Sequence, residues 1–192
     1  MKKKIAFEQI FTPQGMLGDV SKKPNLDFLM NIFKIPRIYG VSGFGEWNVG
    51  QHTMATAFLA LYWSTFNTYE QEKRDRLVTL ALMHDAHEAV IGDILPFFKT
   101  DDVREAIATI QQDILNAFSI IEDKDLAKEL KFLDMTSFLY EISQSAPHKF
   151  TPKKQKLLEK MYNRQREATL AYTKENGFNL KKIAMFLKEM GL

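Results

Sequence analysis

From about residue 25 to the end of this 192-residue chain the apolar residues recur every three to four positions, and β-branched residues almost nowhere alternate over a strand's length. That spacing gives each segment one apolar stripe facing a core, so the expected fold is all-α. A first helix is predicted over about 25–33, with Leu26, Leu29, Met30 and Phe33 on one side. It stops ahead of Pro36, because the residue before a proline is pushed out of the helical region. A second helix covers about 49–66. Asn67 to Glu70 has the spacing of a capping box, which predicts a third helix running to about 91. Gly92 and Pro96 then mark a turn, and Thr100 followed by Asp101 and Asp102 opens a fourth helix with acids at its N-terminal dipole. A fifth spans about 123–142. The pair Thr151-Pro152 starts a sixth, Asn176-Gly177 closes it, and a seventh covers about 179–190. The expected architecture is a single compact domain of about seven helices over residues 25–192. Residues 1–24, interrupted by Pro13, Gly15, Gly18 and Pro24, read as an irregular arm.

Composition narrows the function classes. With 45% hydrophobic residues the chain can bury one sizeable core. Twenty-six Lys and Arg against 24 Asp and Glu leave a formal charge of +2, too little to argue for nucleic acid or an anionic membrane. The balance is uneven, because residues 149–192 hold eleven basic residues against four acids. A solvated basic face on two amphipathic helices is one reading of that tail, and attraction of phosphate is the other. The longest apolar stretch, from Ala55 to Trp63 and broken by Thr56, falls well short of the ~20 residues a membrane span needs. Met1-Lys2-Lys3-Lys4 is followed by Glu8 and Gln9 rather than an apolar run, so no secretory signal is expected and the cytoplasm is the expected location. No cysteine is present, which excludes disulfides, thiolate ligands and a cysteine nucleophile and leaves His, Asp and Glu as the strong metal ligands. Three of the four histidines fall between residues 52 and 87.

The segment His84-Asp85-Ala86-His87-Glu88-Ala89-Val90-Ile91-Gly92-Asp93 places five ionisable side chains in ten residues, directly after the apolar Leu77, Leu80, Ala81 and Leu82. Charged groups at the end of a buried helix need partners or a metal. On a continuous helix His84 and Glu88, four apart, share a face, while His87 projects elsewhere. Adjacent His84 and Asp85 diverge by about a quarter turn and can still reach one ion between them. Two further residues point the same way. His52 sits near the start of the preceding helix, and Asp134 interrupts the apolar run Phe132-Leu133-Asp134-Met135. A single ion bound by His52, His84, Asp85 and Asp134 would offset the cost of burying all four. The alternative is a polar helix end with His84 hydrogen-bonded and Glu88 solvated.

The order His52, His84-Asp85, Asp134 resembles the HD-domain superfamily of metal-dependent phosphohydrolases. The run from His84 through Gly92-Asp93-Ile94-Leu95-Pro96 to Lys99 is similar to bacterial 5′-deoxynucleotidases and to phage enzymes that hydrolyse deoxynucleoside triphosphates. Arg37, then Tyr39-Gly40 and Glu46-Trp47-Asn48-Val49-Gly50-Gln51-His52, matches the arginine that precedes the first metal histidine in that branch. The motif core lies within residues 37–142.

The resemblance implies one divalent transition metal on His52, His84, Asp85 and Asp134. That nitrogen and oxygen set suits Mn²⁺, Co²⁺, Fe²⁺, Ni²⁺ or Zn²⁺. It further implies that Glu88 orients or deprotonates the nucleophile, that Asp93 supports it or protonates the leaving oxygen, and that Arg37 and Lys99 bind phosphate. Asp93 can equally be a turn residue after Gly92. His87 is expected away from the metal, and His148 on the surface. Trp47 and Phe97, with Phe98 and Tyr140, are candidates for a nucleoside pocket, the alternative being core packing. Ile38 and the bulky Phe97-Phe98 depart from the pattern and bear on base and sugar selectivity.

The expected function is a 5′-deoxynucleotidase that releases phosphate from deoxynucleoside monophosphates. One alternative is a triphosphohydrolase that releases tripolyphosphate, with the lysine-rich C-terminal part supplying extra cations. An alternative of another class is a non-catalytic, nucleotide-binding regulatory protein. Partners are then a small deoxynucleotide, without membrane or nucleic acid, and related enzymes imply a homodimer or larger homo-oligomer.

Overall fold

The computed structural model of the chain describes residues 26–37, 47–144 and 151–192. The predicted arm, Ile38, the Tyr39-Gly40 pair and His148 lie outside them, as does the side chain of Phe97. Among the described residues the fold is helical throughout, with one isolated antiparallel bridge between Pro36 and Asn48. In chain order the helices are α1 (Leu26–Met30), a 3₁₀ turn (Asn31–Lys34), α2 (Val49–Phe66), α3 (Gln71–Met83), α4 (Glu88–Ile91), a second 3₁₀ turn (Pro96–Phe98), α5 (Asp101–Ala117), α6 (Lys124–Ser143), α7 (Pro152–Glu175) and α8 (Leu180–Glu189). No described helix is long and apolar enough to cross a membrane.

All seven predicted helices are present, with two local differences. The capping box lies one helix earlier than expected: the Asn48 side chain accepts from Gln51 N at 2.8 Å while Gln51 Oε1 accepts from Asn48 N at 2.9 Å. Asn67 instead closes α2, its side-chain amide donating to Trp63 O, and Glu70 precedes α3 without a side-chain cap. The third predicted helix is also broken, into α3 and α4 with a turn over 84–87. Elsewhere the expected caps are in place, with Thr100, Thr151 and Asn179 each accepting from main-chain N–H groups of the following turn.

Helix α2 packs on α3 and α6, and α6 packs on α7. The main core gathers fully buried Leu77, Phe132, Leu133, Ile183 and Phe186 around Trp63, whose ring meets Phe132 and Phe186 edge-on. Three donors, Trp63 Nε1, Tyr69 OH and Lys73 Nζ, converge on the Glu129 carboxylate at 2.9, 2.7 and 2.9 Å and tie α2, α3 and α6 at one end. His52 near the start of α2 and His84 just past the end of α3 stand at the other end of that pair, and Asp134 lies farther along α6 than Glu129. The Arg37 turn is pinned there as well: Arg37 N donates to Trp47 O and Val49 N to Ile35 O, both at 2.9 Å. Gly50 lets the ring of Phe33 lie against α2, because a Cβ at that position would stand 2.4 Å from it.

Candidate metal centre and substrate cavity

His52 enters the site from the first turns of α2 and is fully buried. Its Nε2 lies 3.1 Å from Asp134 Oδ1, 3.4 Å from His84 Nε2 and 3.7 Å from Asp85 Oδ2. His84 Nδ1 donates to Ala81 O at 2.7 Å, which turns its Nε2 toward Asp85 Oδ2 at 3.2 Å. Two imidazole nitrogens and two carboxylates thus converge from α2, α6 and the turn after α3. Ligands held about 2.1 Å from one ion at a tetrahedral angle stand about 3.4 Å apart, so the spacing of the two Nε2 atoms fits a shared cation. Each imidazole also has a partner on its other nitrogen. For His84 that partner is Ala81 O, and for His52 it is Ser137 Oγ at 3.3 Å with Glu141 Oε2 at 3.6 Å. Such backing orients metal-binding histidines. The donor set therefore fits a divalent metal. Asp85 also neighbours a second group of donors, His87 and Glu88.

Without a cation the carboxylates are balanced by protons and basic side chains. Burial pulls the His84 imidazole down, but the charge and hydrogen bond of Asp85, with Asp134, outweigh it and lift His84 to about 9. Burial likewise works against ionised Asp134, but its hydrogen bond with His52 and the charge of Lys131 outweigh it and hold the carboxyl well below its usual range. Glu88 is only 3% exposed, and its Oε2 has no hydrogen-bond partner. Burial, reinforced by Asp85 and Asp93, raises its carboxyl to about 9.

The break between α3 and α4 has a specific cause. Gln111 of α5 inserts its amide where the helical bond from His87 N to Met83 O would run. Its Nε2 donates to Met83 O at 2.7 Å, and its Oε1 accepts from His87 N at 3.1 Å. The same Oε1 lies 3.1 Å from His87 Nδ1. His87 is thereby buried against α5, and burial lowers its pKa.

A cavity of about 410 Å³ opens beside the donors. Arg37, Asp85, Glu88, Asp93, Lys99 and Asp134 all line it, so eight of the ten sequence candidates meet in one place once His52 and His84 are counted. Arg37 does not project freely: its Nη1 lies 3.4 Å from Asp85 Oδ2 and its Nε 3.3 Å from Glu141 Oε2. Trp47 is not brought to the wall. Its main chain pairs with Arg37, its ring packs edge-on against Tyr140 with centroids 6.3 Å apart, and neither ring is part of the cavity lining. Phe98 is 65% exposed and does not line the cavity either.

A protein-family model described as 5′-deoxynucleotidase YfbR-like matches residues 26–133. The chain belongs to the YfbR-like 5′-deoxynucleotidase family. It is accordingly a hydrolase that acts on deoxynucleotides. Among solved structures the fold is similar to a cyanophage S-2L HD phosphohydrolase, DatZ, bound to dA and one catalytic Zn²⁺ ion. The TM-score is 0.70 at 14% identity, over 87% of this chain and 94% of that one. No curated protein matches the chain significantly.

The site also draws on residues outside the ten sequence candidates. Lys131 and Glu141 of α6 were not singled out by sequence reasoning. Lys131 Nζ lies 2.7 Å from Asp134 Oδ2, and Glu141 is 3% exposed between Arg37 and His52. The signal for Glu141 was present in the run Phe138-Leu139-Tyr140-Glu141-Ile142, where an acid seven residues after Asp134 shares its helix face. Met161 and Gln165 of α7 also reach the cavity wall, and nothing in their local sequence sets them apart.

Proposed function

We propose that the protein hydrolyses 2′-deoxynucleoside 5′-monophosphates to nucleoside and phosphate, with one divalent transition metal held by His52, His84, Asp85 and Asp134. The observation that carries the choice of monophosphate is the cation inventory of the cavity. Arg37, Lys99 and Lys131 are the basic residues that line it among those described, and α7 contributes Met161 and Gln165 rather than any of its lysines or arginines. Three cations facing four carboxylates suit one phosphate group. A triphosphate cleaved at its α-phosphorus would leave the β and γ charges without comparable partners. A purely regulatory role is disfavoured by the converging donor set, which is costly to bury without chemistry to perform.

A bound divalent metal supplies Lewis-acid activation of the phosphoryl group and of water, and the dA-bound, Zn²⁺-containing cyanophage structure supports Zn²⁺ among the candidate ions. The remaining roles fall to side chains. Arg37, Lys99 and Lys131 stabilise charge on the equatorial phosphate oxygens. With a cation on Asp85 offsetting one of the charges that raise its carboxyl, Glu88 Oε2, buried and unpartnered, would take the proton of the attacking water. The charge of Asp93 favours the protonated form of Glu88, so that proton stays available for the leaving 5′-oxygen as the P–O bond breaks. Residues 25–192 act as one domain in this reading, and the setting is the cytoplasm.

The deciding experiment is product analysis after metal quantification of the purified protein. Deoxynucleoside mono- and triphosphates are assayed with Mn²⁺, Co²⁺ or Zn²⁺. Orthophosphate from monophosphates is expected, and tripolyphosphate as the principal product would overturn the reading. His84→Ala and Asp134→Ala are expected to lose both metal and turnover. Full retention of either would remove the proposed ligand set.

A further inference from the structure

The cavity has two unlike ends. Lys131, Asp134, Met135 and Phe138 line it from α6 at spacings i, i+3, i+4 and i+7, which form a single stripe. The stripe changes character along the helix. Lys131 and Asp134 bear charge, Met135 and Phe138 are apolar, and Phe138 stands about 6 Å farther along the axis than Asp134 at the α-helical rise. Helix α7 extends the apolar end with Met161 and adds one polar side chain, Gln165. Phe138 and Met161 both rest on the buried pair Ile142 and Leu158, which holds them in place. Gln165 Nε2 donates to Met135 O at 3.1 Å, so the amide is anchored by one N–H. Its second N–H and its Oε1 are left to meet a ligand edge that offers an acceptor beside a donor.

We propose that this α6–α7 wall is the nucleobase subsite, an inference that rests on the deoxynucleotidase reading. Met135, Phe138 and Met161 take the flat face of the base, and the Gln165 amide reads its edge. The molecule that fits has a charged end at Lys131 and Asp134 and a planar apolar end one sugar away, with paired donor and acceptor groups on its rim. Phosphate sits at the metal donors, deoxyribose spans the change of polarity along α6, and the base reaches α7. The assignment places discrimination among bases on α6 and α7. It also gives α7 a role in the site that its basic residues do not supply.

The test compares metal-loaded enzyme on the four deoxynucleoside 5′-monophosphates with the same enzyme on 2-deoxyribose 5-phosphate, which has the phosphate and sugar but no base. For Met161→Ala the ratio of kcat/KM on nucleotides to that on the abasic sugar phosphate is expected to fall roughly tenfold, through KM. Gln165→Leu is expected to narrow the spread of kcat/KM among the four bases. Equal losses on nucleotides and abasic substrate would show that these side chains only hold the helices together and would overturn the subsite alone. A wild-type enzyme inert toward all five substrates would remove the deoxynucleotidase reading and the subsite with it. A binding measurement covers variants that fold poorly. In the wild-type protein the ε-methyl resonances of Met135 and Met161 are expected to shift on titration with a deoxynucleoside and to stay in place with 2-deoxyribose 5-phosphate. Absence of those shifts at saturating nucleoside overturns the proposal.

Discussion

At the scale of single residues the site is organised by pairs in which one side chain acts and another holds it. Glu141 is the clearest holder. Its buried carboxylate lies 3.3 Å from Arg37 Nε and 3.6 Å from His52 Nδ1, so it sets the direction in which both face the cavity. Groups placed behind metal-binding histidines commonly contribute 10- to 100-fold in metal affinity. Glu141→Gln keeps the shape and removes the charge, and a loss in that range is expected from chelator competition, with kcat reduced less than affinity once metal is saturating. Glu88 should behave in the opposite way. Because it is not among the four converging donors, Glu88→Gln is expected to keep its metal by elemental analysis while kcat falls by about 10² to 10⁴. Loss of metal in that variant would place Glu88 among the ligands instead. Both residues show how far sequence could see. Glu88 stood out because it is crowded among ionisable neighbours, whereas Glu141 is a lone acid in an ordinary amphipathic stretch. Only the packing of α6 against α2 shows what Glu141 touches.

At the scale of elements the telling feature is the interrupted helix. Apolar spacing through Leu77, Leu80 and Ala81 was enough to predict α3, and nothing in His84 to His87 announces a stop by itself. The break is written in α5, where Gln111 supplies a donor to Met83 O and an acceptor to His87 N. A contact 24 to 28 residues away along the chain cannot be read from local periodicity. The misplaced capping box has the same lesson in smaller form: Asn67-x-x-Glu70 and Asn48-x-x-Gln51 are equally good patterns, and which one forms depends on where the flanking helices pack. Gln111→Leu preserves bulk and leaves His87 N–H without its partner, while Met83 O keeps its bond from Ala86 N. A buried unsatisfied group costs about 1–3 kcal/mol, so a destabilisation in that range is expected in urea unfolding. Weaker metal binding should accompany it, since His84 and Asp85 stand in the turn that Gln111 holds. Unchanged stability with unchanged affinity would mean that the turn maintains itself.

At the scale of the molecule the donors for one ion come from α2, from the turn after α3 and from α6, so metal occupancy and folding are linked. The sign of that linkage with pH follows from the protons the metal-free site holds. His84 is raised from its usual 6.5 to about 9, so its contribution to stability is complete below 6.5 and is lost as pH rises through 9. Glu88, raised to about 9 from 4.5, acts in the same direction, because between those values the unfolded chain has released a proton that the folded one keeps. Metal-free protein is therefore expected to lose stability from about pH 4.5 upward, and more steeply between about 6.5 and 9, where both groups contribute. A bound cation takes the place of those protons, and its affinity grows as His84 releases its own. Thermal unfolding with saturating metal and with chelator should accordingly give Tm values that diverge as pH rises across that window and converge as it falls. Parallel curves would show that His84 carries no extra proton in the metal-free site, and that the charge of Asp85 and Asp134 is balanced by Arg37 and Lys131 alone.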